Sequence, residues 1–90
     1  MSRGGWLPMS EAELDGIVLE LVRVHQPVTE TELQMRMRAA ELGVGDGRRI
    51  RTLTRLYNDG RLRLIPKAEA VQRRLPSATI PRCRYWEVPE

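Results

Sequence analysis

Phenylalanine is absent from this chain of ninety residues, and cysteine and histidine occur once each, as Cys83 and His25. One thiol closes no internal disulfide, and one histidine with one cysteine cannot supply the four ligands of a structural zinc site, so neither metal nor disulfide is expected to staple the fold. Aromatic residues amount to 4% (Trp6, Tyr57, Tyr85 and Trp86), which leaves the core to Leu, Val, Ile and Met. No apolar run approaches the roughly 20 residues that cross a bilayer. The opening Met-Ser-Arg-Gly-Gly-Trp-Leu-Pro lacks the apolar segment of a signal peptide, so an intracellular location is expected. Catalytic furniture is also missing. Serines stand at positions 2, 10 and 77, none in a nucleophile-elbow context, and His25 has no partner for a triad in the sequence. The glycines of Leu42-Gly-Val-Gly-Asp-Gly47 are not followed by the Lys-Ser/Thr of a phosphate loop. No enzymatic activity and no cofactor are expected.

Lysine is nearly absent as well: fourteen of the fifteen basic residues are arginine, and Lys67 is the exception. Net charge is +3, but its distribution matters more. Residues 1–33 carry two bases against six acids (−4), whereas residues 34–90 carry thirteen against six (+7). The basic part is the part to inspect for a polyanion partner.

A chain this short builds one small domain and buries only about 60–65% of its unfolded surface. Residues 1–9 read as a flexible arm containing Gly4-Gly5, with Trp6 and Leu7 able to fold back on the core. The domain proper spans 10–90, its helices expected over about 10–25, 29–42 and 46–59. Ser10-Glu-Ala-Glu13 is a capping box with Met9 and Leu14 as its hydrophobic staple, and Leu14, Ile17, Val18, Leu21 and Val24 continue one helical face up to Pro27. Thr29-Glu-Thr-Glu32 repeats the device, with Leu33, Met37 and Ala40 inward and Gly43 as the expected stop. Strands are expected over about 61–65 and 83–88, pairing as an antiparallel ribbon, with Trp86 and Val88 toward the core and Tyr85 on the other face, the reverse assignment being the alternative. The connection 66–82 is too long for a simple hairpin turn, and Ala68–Leu75 within it holds good helix formers.

The stretch from Asp46 to Gly60 organises the rest. Asp46 is the expected N-cap and Gly60 the left-handed stop. On a helical wheel Ile50, Leu53, Leu56 and Tyr57 share one side, while Arg48, Arg51, Thr52 and Arg55 point away. Arg48, Arg49 and Arg51 crowd the first turns, where the positive end of the helix dipole disfavours each by about 0.3–1 kcal/mol. A polyanion approaching that end would relieve the repulsion.

Helix, helix, short glycine-containing turn, helix and two-stranded ribbon is an order that resembles the winged helix-turn-helix superfamily. Leu53-Thr-Arg-Leu-Tyr-Asn-Asp-Gly-Arg-Leu-Arg-Leu64 is similar to its passage from third helix to wing, and Pro27-Val-Thr-Glu-Thr-Glu-Leu33 to the entry of its second helix. The wing is longer than usual and the turn carries two glycines. The resemblance implies a mainly α fold, a three-helix bundle plus a two-stranded antiparallel wing. It also implies a recognition helix from Asp46 in the DNA major groove, with Arg48, Arg49, Arg51, Thr52 and Arg55 as base and phosphate contacts. Thr29 and Thr31 would meet a phosphate at the second helix, and Lys67, Arg73 and Arg74 would contact the backbone from the wing. A small transcriptional regulator binding double-stranded DNA, cytoplasmic and nucleoid-associated, is the leading expectation, with homodimerisation through the wing, the first helix or the arm. The rival expectation is a protein-binding adaptor, docking a partner through the acidic first helix with Glu11, Asp15, Glu20 and Leu19.

Overall fold

The computed structural model describes residues 9–89. Their order is α1 (Glu11–His25), β1 (Val28–Thr29), α2 (Glu30–Ala39), α3 (Asp46–Asn58), β2 (Arg63–Leu64), α4 (Lys67–Gln72) and β3 (Tyr85–Glu87). This is an architecture of winged-helix type, a helical bundle with a small open antiparallel sheet. The arm expected over residues 1–9 lies outside the described residues except for Met9.

Both helix starts form where the sequence placed them. Ser10 Oγ accepts from Glu13 N at 3.1 Å, and Ser10 N donates back to Glu13 Oε1 at 3.0 Å. The bond from the Ser10 amide is the main cause that lowers the Glu13 pKa, with the nearby Ser10 side chain second. The second box closes only one way: Thr29 Oγ1 accepts from Glu32 N, while the Glu32 carboxylate turns to Arg36.

Helix ends differ more. α2 is capped at Ala40 and Glu41 takes the left-handed conformation (φ 56°), while the expected Gly43 is left-handed as well (φ 65°) two residues further on. α3 begins one residue earlier than its expected cap, with Gly45 as N-cap and Asp46 already helical. Its end is as expected, since Gly60 (φ 75°) donates to Tyr57 O and Arg61 to Leu56 O.

The main core joins Leu14, Val18 and Val22 of α1, Val28, Leu33, Met37, Leu53, Leu56, Leu62 and Trp86. Leu14, Val18 and Val22 are spaced four apart, which sets the phase of α1 and turns Val24, expected inward, out to solvent at 57% exposure. Ala40, also expected inward, is exposed at the end of α2.

The ribbon is a three-stranded sheet in the order β1-β3-β2, with Val28 opposite Trp86, Thr29 opposite Tyr85, Arg63 opposite Glu87 and Leu64 opposite Trp86. The extra strand, β1, is the two residues preceding α2. Alternation along β3 sends Trp86 and Val88 to the main core and Tyr85 to the opposite face, as expected. There α4 forms a lid, and Ile65, Ala70, Ala78 and Tyr85 make a second small core. Tyr85 Oη donates to Pro76 O at 2.6 Å, and burial raises its pKa.

Candidate nucleic-acid interface

α3 is rotated from the expected phase. Its buried side consists of Arg49, Thr52, Leu53 and Leu56, while Ile50 and Tyr57 are 47% and 50% exposed. Thr52, placed outward by the sequence reading, is 1% exposed, and its hydroxyl donates to Arg48 O at 2.9 Å. Arg49 is buried too, with Nη1 2.7 Å from Asp46 Oδ1. Two residues expected at base edges therefore face the interior.

The remaining arginines of α3 divide. Arg48 donates to the Met9 carbonyl. Arg55 reaches across to α1, with Nη2 2.5 Å from Asp15 Oδ1 and Nη1 3.3 Å from Glu11 Oε1. The Asp15 hydrogen bonds raise the pKa of Arg55, helped by the Glu11 and Asp59 charges. Arg51 alone is exposed with no acid in salt-bridge range among the described residues, and a Cβ at Gly47 would sit 3.5 Å from its Nη1. Gly47, Arg51, Thr54 and Asn58 recur at helical spacing and are all exposed, so they form the outer ridge of α3. Ile50 and Tyr57 flank that ridge toward the wing, where Tyr57 meets Trp86 edge-on at 6.0 Å between ring centroids.

The crowding of charge at the start of α3 thus has an internal answer for two of three arginines. Asp46 neutralises Arg49, the Met9 carbonyl takes Arg48, and only Arg51 stays open.

A second basic feature lies where the sheet meets α2. The pairing of Thr29 with Tyr85 leads the chain before β3 past the start of α2. A groove of about 590 Å³ there is lined by Thr29, Glu30, Thr31, Ser77, Arg82, Arg84 and their neighbours, two arginines against one carboxylate. Thr29 is occupied as a cap and Thr31 is exposed. Arg82 and Arg84 are exposed, with no salt-bridge partner among the described residues. Neither Arg82 nor Arg84 is among the site residues expected from the sequence. Their position depends on the register of β1, which two residues ahead of a helix do not announce.

The wing residues divide likewise. Arg73 bonds Glu69 and Glu87, each at 3.1 Å, and Arg63 bonds the same two carboxylates, Glu69 at 2.7 Å. The four side chains close a ring between α4, β2 and β3. Hydrogen bonds from Arg63 first and Arg73 second hold the Glu69 carboxyl at a pKa of about 2. Both arginines are raised in turn, Arg63 chiefly by Glu69 and Arg73 chiefly by Glu87. Lys67 donates to the Ile80 carbonyl. Arg74 is exposed and left-handed (φ 59°), with no salt-bridge partner among the described residues.

The acidic face of α1 is also partly spent, Asp15 on Arg55 and Glu20 on Arg23. Among the described residues no group of three or more His, Cys, Asp or Glu could hold a metal ion, and no helix is long and apolar enough to cross a membrane. No protein-family model, no curated protein and no solved structure matches the chain.

Proposed function

We propose that the chain binds double-stranded DNA as a small transcriptional regulator, presenting the outer ridge of α3 to the major groove. The observation that carries this reading is the ridge itself. Arg48, Arg49 and Arg55 have internal partners, yet Arg51, Thr54 and Asn58 stand together on an exposed helix face, with Arg51 lacking a counter-charge among the described residues. Arginine bonds guanine O6 and N7 bidentately, asparagine bonds adenine N6 and N7, and a threonine methyl suits thymine. Arg82 and Arg84, beside the start of α2, supply the phosphate contacts that set position without reading sequence.

Fluorescence anisotropy on labelled duplexes across a salt series tests it. Affinity that falls steeply with salt, is weakened by Arg51→Ala and Asn58→Ala, and is unaffected by changes at buried Thr52 supports the ridge. No binding even at low salt overturns it. The rival is a protein-docking domain, and one observation favours it: Ile50 and Tyr57 expose apolar surface along the flank of the same ridge. A partner captured by the chain and lost with Tyr57→Ser, in the absence of DNA binding, would decide for that reading.

A further inference from the structure

We propose that Gly47 is a specificity-determining residue of α3: by carrying no side chain it lets the Arg51 guanidinium lie over the first turn of the helix, at the tip that meets the base edges. This role rests on the reading of α3 as the helix that meets DNA, and adds to it the residue that sets where Arg51 reaches. At the start of α3, Asp46 is turned to α2, its Oδ1 accepting from Gln34 Nε2 at 3.3 Å and from Arg49 Nη1 at 2.7 Å. Arg48 is tied to the Met9 carbonyl. Of these first three residues, only Gly47 lies on the outer ridge.

The backbone there does not call for glycine. Its φ is outside the left-handed region, and glycine is disfavoured in a helix by its backbone freedom. Among the described residues, a Cβ at Gly47 would meet Arg51 Nη1 at 3.5 Å and, beyond its chain neighbours and the helix's own backbone, no other atom within 4 Å. A helical side chain leans toward the N-terminus, over the residue four places back, so Arg51 covers the bare backbone of Gly47. The guanidinium thus stands near the positive end of the helix dipole, which disfavours it, with no acid in salt-bridge range among the described residues. A side chain at position 47 would lift the guanidinium off the helix and crowd its planar fork, which needs an open approach to bond guanine O6 and N7 together.

Anisotropy titrations on a duplex selected from a random pool and on its scrambled counterpart, with thermal melts alongside, test this on Gly47→Ala and Gly47→Gln. Both replacements are better helix formers, and 3.5 Å is an ordinary contact distance, so the melting temperature should hold or rise. Preference for the selected duplex should nevertheless fall, several-fold for alanine and about tenfold for glutamine, within the range that one bidentate arginine contact carries. In an Arg51→Ala background the same replacements should change nothing further, because they act through that guanidinium. Gly16→Ala, at an exposed position in the middle of α1, should raise the melting temperature and leave affinity as it was. A wild type that prefers its selected duplex, beside a Gly47→Gln variant that keeps the preference, overturns the role of Gly47 and leaves the reading of α3 intact. Losses that simply add to that of Arg51→Ala, or an equal loss with Gly16→Ala, overturn it in the same way. A wild type that binds no duplex even at low salt overturns both.

Discussion

Arginine performs two different tasks on α3, and burial separates them. Arg55 neutralises Asp15, which is only 14% exposed, so Arg55→Ala leaves that carboxylate without its counter-charge. The variant should unfold at a lower temperature. Arg51→Ala removes a side chain with no protein partner among the described residues, and should leave the melting temperature unchanged while DNA affinity falls. Thermal melts and anisotropy on the two variants distinguish the tasks, and a loss of stability with Arg51→Ala would contradict the division. Thr52→Val is the companion case. Its hydroxyl returns to Arg48 O, a carbonyl already inside the helix ladder, so the isosteric change should shift stability by no more than about 1 kcal/mol and leave binding alone. The wheel put Thr52 outside because periodicity fixes spacing but not phase. Leu53 and Leu56 belong to either phase, Arg49 can bury its stem while its head reaches Asp46, and Thr52 satisfies its own hydroxyl. Ile50 and Tyr57 were thereby left to solvent, which hydrophobicity alone could not reveal.

Three helices end in the same hydrogen-bond pattern with different residues at its left-handed position. After α2, Glu41 donates to Arg38 O and Leu42 to Met37 O; after α3, Gly60 to Tyr57 O and Arg61 to Leu56 O; after α4, Arg74 to Val71 O and Leu75 to Ala70 O. Only α3 uses glycine there. A side chain in this conformation costs about 1 kcal/mol, so Glu41→Gly should stabilise the chain by up to that amount and Gly60→Ala destabilise it similarly, as read by denaturant melts. The glycine after α3 was legible in the sequence for this reason, and the end of α2 was not, because nothing about a glutamate announces a positive φ. Helix starts were legible because their chemistry is local, as Ser10 and Glu13 demonstrate. The ring of Arg63, Glu69, Arg73 and Glu87 is a longer-range element and was not legible, since it needs the register of β2 against β3 and the placement of α4. Its pH signature follows from Glu69. The folded pKa lies below the ordinary 4.5, near 2, so the stabilisation is fully present above 4.5 and is lost as pH falls toward 2. Stability measured over that window should drop less for Glu69→Gln than for the wild type. Equal slopes would mean that the ring does not hold the lid.

Across the whole molecule, the contrast between an acidic first third and a basic remainder is partly cancelled on folding, because Arg55 reaches back to Glu11 and Asp15. Among the described residues without a salt-bridge partner, two groups of arginines have separable expected duties. Arg82 and Arg84 flank the start of α2, where their guanidinium groups, not the capped and Glu30-bearing helix end, would meet phosphate, and Arg51 rides the ridge of α3. Phosphate contacts are blind to sequence and release counterions, so each contributes about −0.9 to the slope of log affinity against log salt. Replacing both Arg82 and Arg84 with alanine should therefore make that slope shallower by about 2 and weaken every duplex by a similar factor. Arg51→Ala should instead narrow the difference between preferred and random duplexes, since a bidentate guanine contact carries about 1–3 kcal/mol of discrimination. Anisotropy titrations of both variants on a selected and a scrambled duplex measure the two effects side by side. If Arg82→Ala/Arg84→Ala leaves the slope unchanged, the groove beside α2 is not a phosphate site. If Arg51→Ala weakens both duplexes equally, α3 meets the backbone and not the base edges.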